Sequence, residues 1–560
     1  MKRYLTWFLP MLLMMAACTC APSEEPTSVT LPTTTPVPTP IYLPENATVG
    51  AHILARGYLI VGIRYDLPPF GFITEAGVPA GYGVDMGHEF ARRWLGDEQA
   101  VEFRQVRTDT TVEHLQAGEV DVVITAVTHT QAREAGADFT LTYFVDGQAL
   151  LVRTEDADAI NHPQDLAGRP IGITSWSEAE NALWAVVPFT PTLQTYDRFD
   201  SAVEALNAGE VDAVADLRQR LFWGRQLYPE TTLVGQYTTL PVSIAYPQND
   251  PFFANLVNLT FQQMVEDGTY SELYRQYFGP EYPPVVEQWS GDALPRLADA
   301  PLTTDPVDTI ATIQARGRLA VAFVEHAPFA YYDENGVVVG YEASLVRQMA
   351  GYWLGDTTAV DFVVVTEQAG REMLNQGRVD LLIGGLPHTR EAEMEVDFAT
   401  TTYMGGQGLL VQAGTVITDL MSLDGHRVAV VSGGGAEDVL LAEAEMAGIS
   451  VTVVQQPTLE NAFVLLDEGQ VVAIAGERAD LLGPAYDRPG LGVLPLRFTQ
   501  VPLAIGLPQG DSAFRDLVNL TLQALKAEGH FVTLYATWFD DTPIGLEVWP
   551  GVPYRTLSLR

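Results

Sequence analysis

Short apolar runs alternate with amphipathic stretches along most of this 560-residue chain. The apolar runs are short enough to be buried strands, and the stretches between them repeat with the period of a helix. In the first half we predict strands at 59–63, 101–103 and 120–124, with helices at 83–94 and 111–116. This β-α-β-α-β order implies a mostly parallel, twisted sheet with helices on both faces.

A second set of α/β elements follows the first. We predict strands at 149–152, 170–173, 212–215 and 242–245, and helices at 177–185, 201–207 and 252–266. The strands are again short and apolar, and the last helix is the longest. The first half of the chain therefore contains two sets of elements of the same class.

The body of the chain then repeats with a period of about 260 residues. The segment 256–260 returns unchanged at 517–521, and each copy ends on a tryptophan-containing tail at 287–291 or 547–551. A period this long indicates duplicated domains instead of a solenoid. We divide the chain into a leader, a tether, a first domain, a linker, a second domain and a tail, at 1–18, 19–44, 45–291, 292–306, 307–551 and 552–560.

The first residues have the pattern of an export signal. A basic start precedes an apolar run at 5–15 and small residues up to Cys18. This resembles the bacterial lipoprotein signal, which implies that Cys18 is lipidated and becomes the mature N-terminus; ordinary secretion with cleavage nearby is the alternative. The Pro- and Thr-rich stretch at 19–44 cannot bury a core and is predicted to be an extended tether.

Charge and composition exclude several function classes. The formal net charge of -40 argues against nucleic-acid binding, since phosphates require a basic surface. The only cysteines are Cys18 and Cys20, so the body has neither a disulfide framework nor a cysteine metal site. The nine histidines show no metal-ligand spacing, and we expect no cofactor, no metal and no catalytic residue.

One nonapeptide, at 125–133, combines groups that suit a carboxylate. It follows an apolar strand and carries threonine hydroxyls, a predicted helix start with Thr130 as N-cap, and Arg133. Backbone N–H groups at a helix start favour an anion, and a guanidinium can hold both oxygens. The alternative is a surface helix start with a solvent-facing arginine.

The order and spacing of many short motifs carry a resemblance to a known family. They include segments at 57–61, 68–70, 81–85, 118–121, 130–133, 165–168, 209–213 and 266–270. Each copy resembles the extracellular solute-binding proteins of the polar amino-acid type, which deliver ligands to ABC importers. The resemblance implies two tandem periplasmic-binding-protein-like units, each of two α/β lobes joined by a two-stranded hinge, with crossovers near 145–153 and 240–246, and near 404–411 and 501–507.

The resemblance also implies roles for residues of the first copy. Arg133 and Thr128 would hold the ligand α-carboxylate, and the turn with Ser177 and Glu178 would close over it. Asp216 is the candidate for the ligand ammonium, although the usual acidic position of the family falls one residue later.

Arg64 is the remaining site residue implied by the resemblance. It would pair with a second carboxylate of an acidic amino acid, or alternatively point to solvent. An acidic or polar amino acid is therefore the expected ligand of the first copy.

The second copy departs from this pattern. Alignment on the Asp-Phe pairs at 138–139 and 397–398 brings Ala392 opposite Arg133, and Pro387 opposite Thr128. Pro387 removes both a hydroxyl and an N–H. We therefore expect a folded second domain that does not bind an α-amino acid in the ordinary way.

The expected function is that of a non-enzymatic, lipid-anchored, extracytoplasmic solute-binding protein. Its partners would be a small-molecule ligand, namely an amino acid, an ABC permease and, through the lipid, a membrane. Two alternatives remain open: a ligand-sensing ectodomain that signals through a separate receptor, and a dehydratase-like enzyme on the same fold.

Overall fold

The computed structural model describes residues 43–44, 46–175, 177–225, 228–279, 283–304, 306–433, 435–486, 488, 490–539 and 549–550. The predicted signal peptide, the lipidation site Cys18, nearly all of the tether and the predicted tail at 552–560 lie outside these residues. No helix in the described part of the chain is long and apolar enough to cross a membrane.

The first lobe of the first copy is built around a five-stranded sheet. In spatial order its strands are Val101–Gln105, Leu59–Ile63, Val122–Val123, Ala245–Tyr246 and Asp138–Phe139. The helices around it are Val49–Arg56, Tyr82–Leu95, Thr111–Gln116, Pro251–Glu266 and Thr269–Phe278. A small sheet beside it comprises Asp66–Leu67, Gly71–Ile73 and Pro79–Ala80.

The prediction of a mostly parallel sheet needs a correction. The strand Leu59–Ile63 is parallel to both neighbours, but Ala245–Tyr246 runs antiparallel to Val122–Val123 and Asp138–Phe139. The reason is topological: the chain leaves this lobe and returns to it, so the returning strand enters from the opposite end. The sheet is therefore mixed.

The second lobe has its own five-stranded sheet and its own core. Its strands, in spatial order, are Thr192–Tyr196, Pro170–Thr174, Ala213–Leu217, Gln148–Arg153 and Thr231–Val234. Its helices are Ala179–Val186, Phe199–Asn207 and Arg218–Arg225. The lobes are joined by the hinge strands Phe144–Asp146 and Leu240–Val242, which pair antiparallel as the resemblance implied.

The second copy repeats this architecture. The strands of its two large sheets are Val360–Val364, Leu319–Phe323, Leu381–Pro387, Val501–Leu507, Asp397–Phe398 and Tyr403–Gly405, and then Thr452–Gln456, Arg427–Val431, Ala473–Glu477, Gln407–Gln412 and Leu491–Val493. Tyr331–Tyr332 and Val338–Val339 pair separately. Its helices are Thr309–Arg316, Tyr341–Leu354, Glu367–Asn375, Arg390–Glu393, Ala436–Ala447, Leu459–Asp467, Arg478–Tyr486, Ser512–Ala527 and His530–Phe539.

The two copies contact each other through their first lobes. Arg515 of the second copy, whose side chain is 17% exposed, donates across the contact to Asp138 of the first at 2.8 Å and lies 3.9 Å from Asp397 of its own copy. Ser512 also donates to Asp138, at 2.8 Å. The residue equivalent to Arg515 in the first copy is Ala254. The contact is therefore repeated in outline, but the guanidinium of Arg515 has no counterpart in the first copy.

Candidate ligand-binding cleft

The lobes of the first copy meet around a small cavity of about 20 Å³. Five of the six predicted site residues line it: Arg64, Thr128, Ser177, Glu178 and Asp216. The hinge strands bring the ends of strands from both lobes to this point, which is where open α/β sheets bind ligands.

Arg133, the sixth predicted residue, connects the two lobes. Its Nη2 donates to Oε1 of Glu178 at 2.7 Å, and its Nη1 donates to the carbonyl oxygen of Thr128 at 2.7 Å. The Thr128 hydroxyl donates to the other Glu178 oxygen at 3.3 Å. A carboxylate from the second lobe is thus bound by a guanidinium and a hydroxyl of the first lobe.

The local backbone at Arg133 differs from the prediction. Instead of a helix beginning at Thr130, there is one short 3-10 turn at Arg133–Ala135, and the Thr130 hydroxyl accepts from the N–H of Arg133 at 3.3 Å. Only two residues separate this turn from the strand Asp138–Phe139, so a longer helix does not fit. The argument from a helix dipole was therefore wrong, and the carboxylate is bound by side chains.

Arg64 faces the cavity and not the solvent, since only 8% of the residue is exposed. Its Nε and Nη2 donate to the two oxygens of Asp66 at 2.9 and 2.8 Å, and its Nη1 donates to Thr108 at 3.2 Å. Burial acts to raise the pKa of Asp66, but the bonds from Arg64 outweigh it and the pKa is lowered. The pair is therefore held in its charged form at the edge of the site.

Asp216 lies on the strand Ala213–Leu217 and is almost fully buried. Its carboxylate accepts from the Thr174 hydroxyl at 2.8 Å, from the N–H of Leu217 at 2.8 Å and from Nη1 of Arg220 at 3.1 Å. Leu217 pairs with Gln148 as Glu477 pairs with Gln407 in the second copy, so Leu217 is the structural equivalent of Glu477.

Sequence reasoning missed Gln148 and Arg220, which also line the cavity. Arg220 lies in the helix that follows the strand of Asp216, and its Nη1 is 3.1 Å from the Asp216 carboxylate. Within the described part of the chain, the buried side-chain amide of Gln148 and the hydroxyl of Ser177 make no hydrogen bond. These groups supply further donors and acceptors at the site.

The cleft of the second copy is built differently. Its first lobe carries His326 at the position of Asp66 in the first copy. The Nε2 of His326 lies 2.8 Å from the carboxylate of Asp480 in the second lobe. The buried carboxylate of Glu342 accepts from the N–H groups of Gly384 and Gly385 at 2.6 and 2.9 Å.

Glu342 stands where the first copy has Gly83. There a Cβ atom would lie 2.1 Å from the carbonyl oxygen of Ile124, so the first copy excludes any side chain at that position. Arg390, the nearest arginine in sequence to the missing anchor, donates to Glu266 of the first copy at 3.1 Å. It therefore lies at the contact between the copies and not in the cleft.

Fold and site together define a tandem protein of the two-lobed binding class, whose first copy holds its own Glu178 carboxylate between the lobes. Comparison with known sequences identifies the family. The chain matches the bacterial extracellular solute-binding proteins, family 3, at residues 59–280 and 319–541, and it belongs to that family.

Several relatives of this chain are named as amino-acid-binding proteins. The glutamine-binding protein of Geobacillus stearothermophilus is 34% identical over 174 residues, which cover 31% of this chain and 65% of the relative. The ABC transporter glutamine-binding protein GlnH of Bacillus subtilis is 28% identical over 210 residues, 37% of this chain and 76% of the relative. The glutamate-binding protein GluB of Corynebacterium glutamicum is 28% identical over 252 residues, 43% of this chain and 84% of the relative.

A solved structure of an ancestral arginine-binding protein bound to arginine is 31% identical. The match covers 40% of this chain and 99% of that protein, with a TM-score of 0.36.

Proposed function

We propose that the chain is a lipid-anchored, extracytoplasmic binding protein that captures an acidic amino acid in its first copy and delivers it to an ABC permease. The observation that carries the proposal is the carboxylate of Glu178, bound by Arg133 at 2.7 Å and by the Thr128 hydroxyl at 3.3 Å. A group that binds this carboxylate also suits the α-carboxylate of an amino acid.

The charges around the cavity support a ligand with two carboxylates. Arg64 and Arg220 are two further guanidinium groups on the cavity wall, and each is paired with one aspartate, Asp66 or Asp216. A second ligand carboxylate would accept from Arg64, and the ligand ammonium would share Asp216 with Arg220. The relatives named for glutamine and glutamate binding support an amino-acid ligand of the size of glutamate.

The proposed anchoring and transport role rests on the sequence and the family. The signal ending at Cys18 would provide the lipid, and the segment at 19–44 would hold the body away from the membrane surface. Relatives named for ABC transporters support the permease as partner. The second copy is proposed to bind no α-amino acid in the ordinary way, because Ala392 and Pro387 replace the two anchor residues.

Calorimetric titration of the full chain with L-glutamate, L-aspartate, L-glutamine and L-histidine tests the proposal. We expect L-glutamate or L-aspartate to bind with the highest affinity and with one ligand per chain. Arg64→Gln should weaken L-glutamate binding more than L-glutamine binding. Tight binding of histidine without glutamate would contradict the ligand class, and two amino acids bound per chain would contradict the assignment to one copy.

A further inference from the structure

The segment 128–134, which we call the anchor loop, has two functional faces. Thr128 and Arg133 point into the ligand cleft, where both contact Glu178. His129, Gln131 and Glu134 are buried on the opposite side, against the second copy. Thr128 and Arg133, the two anchor residues, are therefore each adjacent in sequence to a residue at the contact between the copies, His129 and Glu134.

Trp549 and Pro550, from the tryptophan-containing segment at 547–551, contact the anchor loop on that side. The indole of Trp549 stacks on the ring of His129 with 4.0 Å between centroids, and Phe139 stacks on the other face at 4.5 Å. The backbone N–H of Gln131 donates to the carbonyl oxygen of Pro550 at 3.2 Å. Its side-chain amide donates to the carbonyl oxygen of Trp549 at 3.0 Å.

The tail is itself held by the second copy. The N–H of Trp549 donates to the side-chain oxygen of Gln523 at 3.0 Å, and Gln523 also accepts from Gln131 at 3.2 Å. Only 7% of Trp549 is exposed. Trp549 is thus in direct contact with both the second copy and the anchor loop.

The first copy makes the reciprocal contact with its own tail. Trp289 stacks on His388 at 3.8 Å, and the N–H of Arg390 donates to the carbonyl oxygen of Ser290 at 2.9 Å. The N–H of Trp289 donates to Gln262 at 3.0 Å, as Trp549 does to Gln523. The loop supported here carries Pro387 and Ala392 and has no ligand anchor, so this contact is a built-in control for the other.

We propose that Trp549 is a positioning residue for ligand binding in the first copy. It holds the anchor loop in the conformation that presents Thr128 and Arg133 to a ligand carboxylate, and this gives the second copy a role that requires no ligand of its own. A loop that is already ordered loses less conformational entropy when it binds. The inference rests on the proposed function only for the identity of the ligand.

Two substitutions in the full chain test this inference, Trp549→Ala and its matched control Trp289→Ala. Hydrogen–deuterium exchange without added ligand measures the order of the loops, and calorimetry with L-glutamate measures affinity. Trp549→Ala should speed exchange at 128–134 and weaken L-glutamate about five- to tenfold, the effect of losing one aromatic stack. Trp289→Ala should speed exchange at 387–393 instead and leave the affinity within about twofold.

Trp549→Phe keeps a ring on His129 and should restore most of the affinity. Trp549→Leu replaces the alanine variant if that variant does not fold, because it fills more of the space without stacking. Unchanged exchange at 128–134 in Trp549→Ala would overturn the inference, as would an equal loss of affinity in Trp289→Ala. Wild-type protein that binds no L-glutamate would refute the proposed ligand alone, and the exchange data would then decide the positioning role.

Discussion

Arg133→Ala is the substitution that most directly tests the assignment of the first cleft. In the structure the guanidinium donates to the Thr128 carbonyl oxygen and the Glu178 carboxylate, each at 2.7 Å, and to the Thr108 carbonyl oxygen at 3.4 Å. The alanine variant keeps none of these bonds, while the fold-bearing strands on either side do not depend on this side chain. We therefore expect a folded protein with a weakened site.

The size of the effect follows from the number of bonds lost. A hydrogen bond to a charged group contributes about 1.5–3 kcal/mol. A ligand carboxylate in the place of the Glu178 carboxylate would lose the one such bond that Arg133 donates there, or about 1.5–3 kcal/mol. This corresponds to a loss of affinity of roughly 10- to 150-fold.

Calorimetry with L-glutamate measures the loss, with circular dichroism to check folding. Arg198→Ala is the matched control, because that arginine side chain is 76% exposed and pairs with the exposed Asp200 on the surface of the second lobe. Arg133→Lys should be intermediate, since an ammonium group keeps the charge but not the planar fork. An Arg133→Ala variant that is folded and binds within about threefold of wild type would refute the anchor assignment.

Three further predictions concern charges in and near the first copy. Glu178→Gln should tighten L-glutamate binding about three- to tenfold, because the Glu178 carboxylate no longer competes with the ligand carboxylate for Arg133. Calorimetry measures the affinity, and weaker binding would contradict this competition. Arg515→Met should lower the free energy of unfolding in urea by about 3–5 kcal/mol, because it leaves Asp138 buried without its partner; a loss below about 1 kcal/mol would contradict the pairing. Burial raises the pKa of Asp146 in the hinge from 3.8 to about 7, so its contribution to stability is present below pH 3.8 and is lost as the pH rises through 7. The melting temperature should therefore fall less between about pH 4 and pH 8 in Asp146→Asn than in the wild type. An equal fall in the variant and the wild type would count against the raised pKa of Asp146.

The fold was largely predictable because its signals are local. The strand Leu59–Ile63 is a continuous apolar run that is buried along its whole length, and the structure gives it the predicted bounds. The helix Tyr82–Leu95 is one residue longer at each end than predicted, because it begins after Gly81 and ends at Gly96, which has φ of 76°. Such boundaries are set by backbone conformations that a hydrophobic period does not encode.

The site was predictable only as far as the family resemblance reached. It led to Arg133, Thr128 and Glu178, but it did not indicate that Glu178 would contact Arg133 across the cleft. Gln148 and Arg220 were missed because the first looks like an ordinary strand residue and the second like a solvent-facing helix start. Their burial depends on how the two lobes approach each other, which no pattern within one element records.

The packing of the two copies was not predictable from either repeat alone, yet both repeats share a sequence feature that belongs to this packing. Both copies have a histidine and a glutamate five residues apart, His129 with Glu134 and His388 with Glu393. Each histidine lies under the tail tryptophan of the other copy. Ligand binding explains neither pair, because these side chains face away from the clefts.

The contrast between the two faces of the anchor loop explains why a second copy without the carboxylate anchor can keep its fold. Pro387 and Ala392 replace Thr128 and Arg133 of the inner face, whose bonds to Glu178 lie within the cleft of the first copy, so their loss leaves the contact between the copies intact. His388 and Glu393 belong to the outer face, and their loss would expose Trp289 and the carboxylates near Arg515. If the second copy only occupied space, both faces would be equally free to change. Retention of the outer face alone is what we expect if the second copy acts as a support for the first.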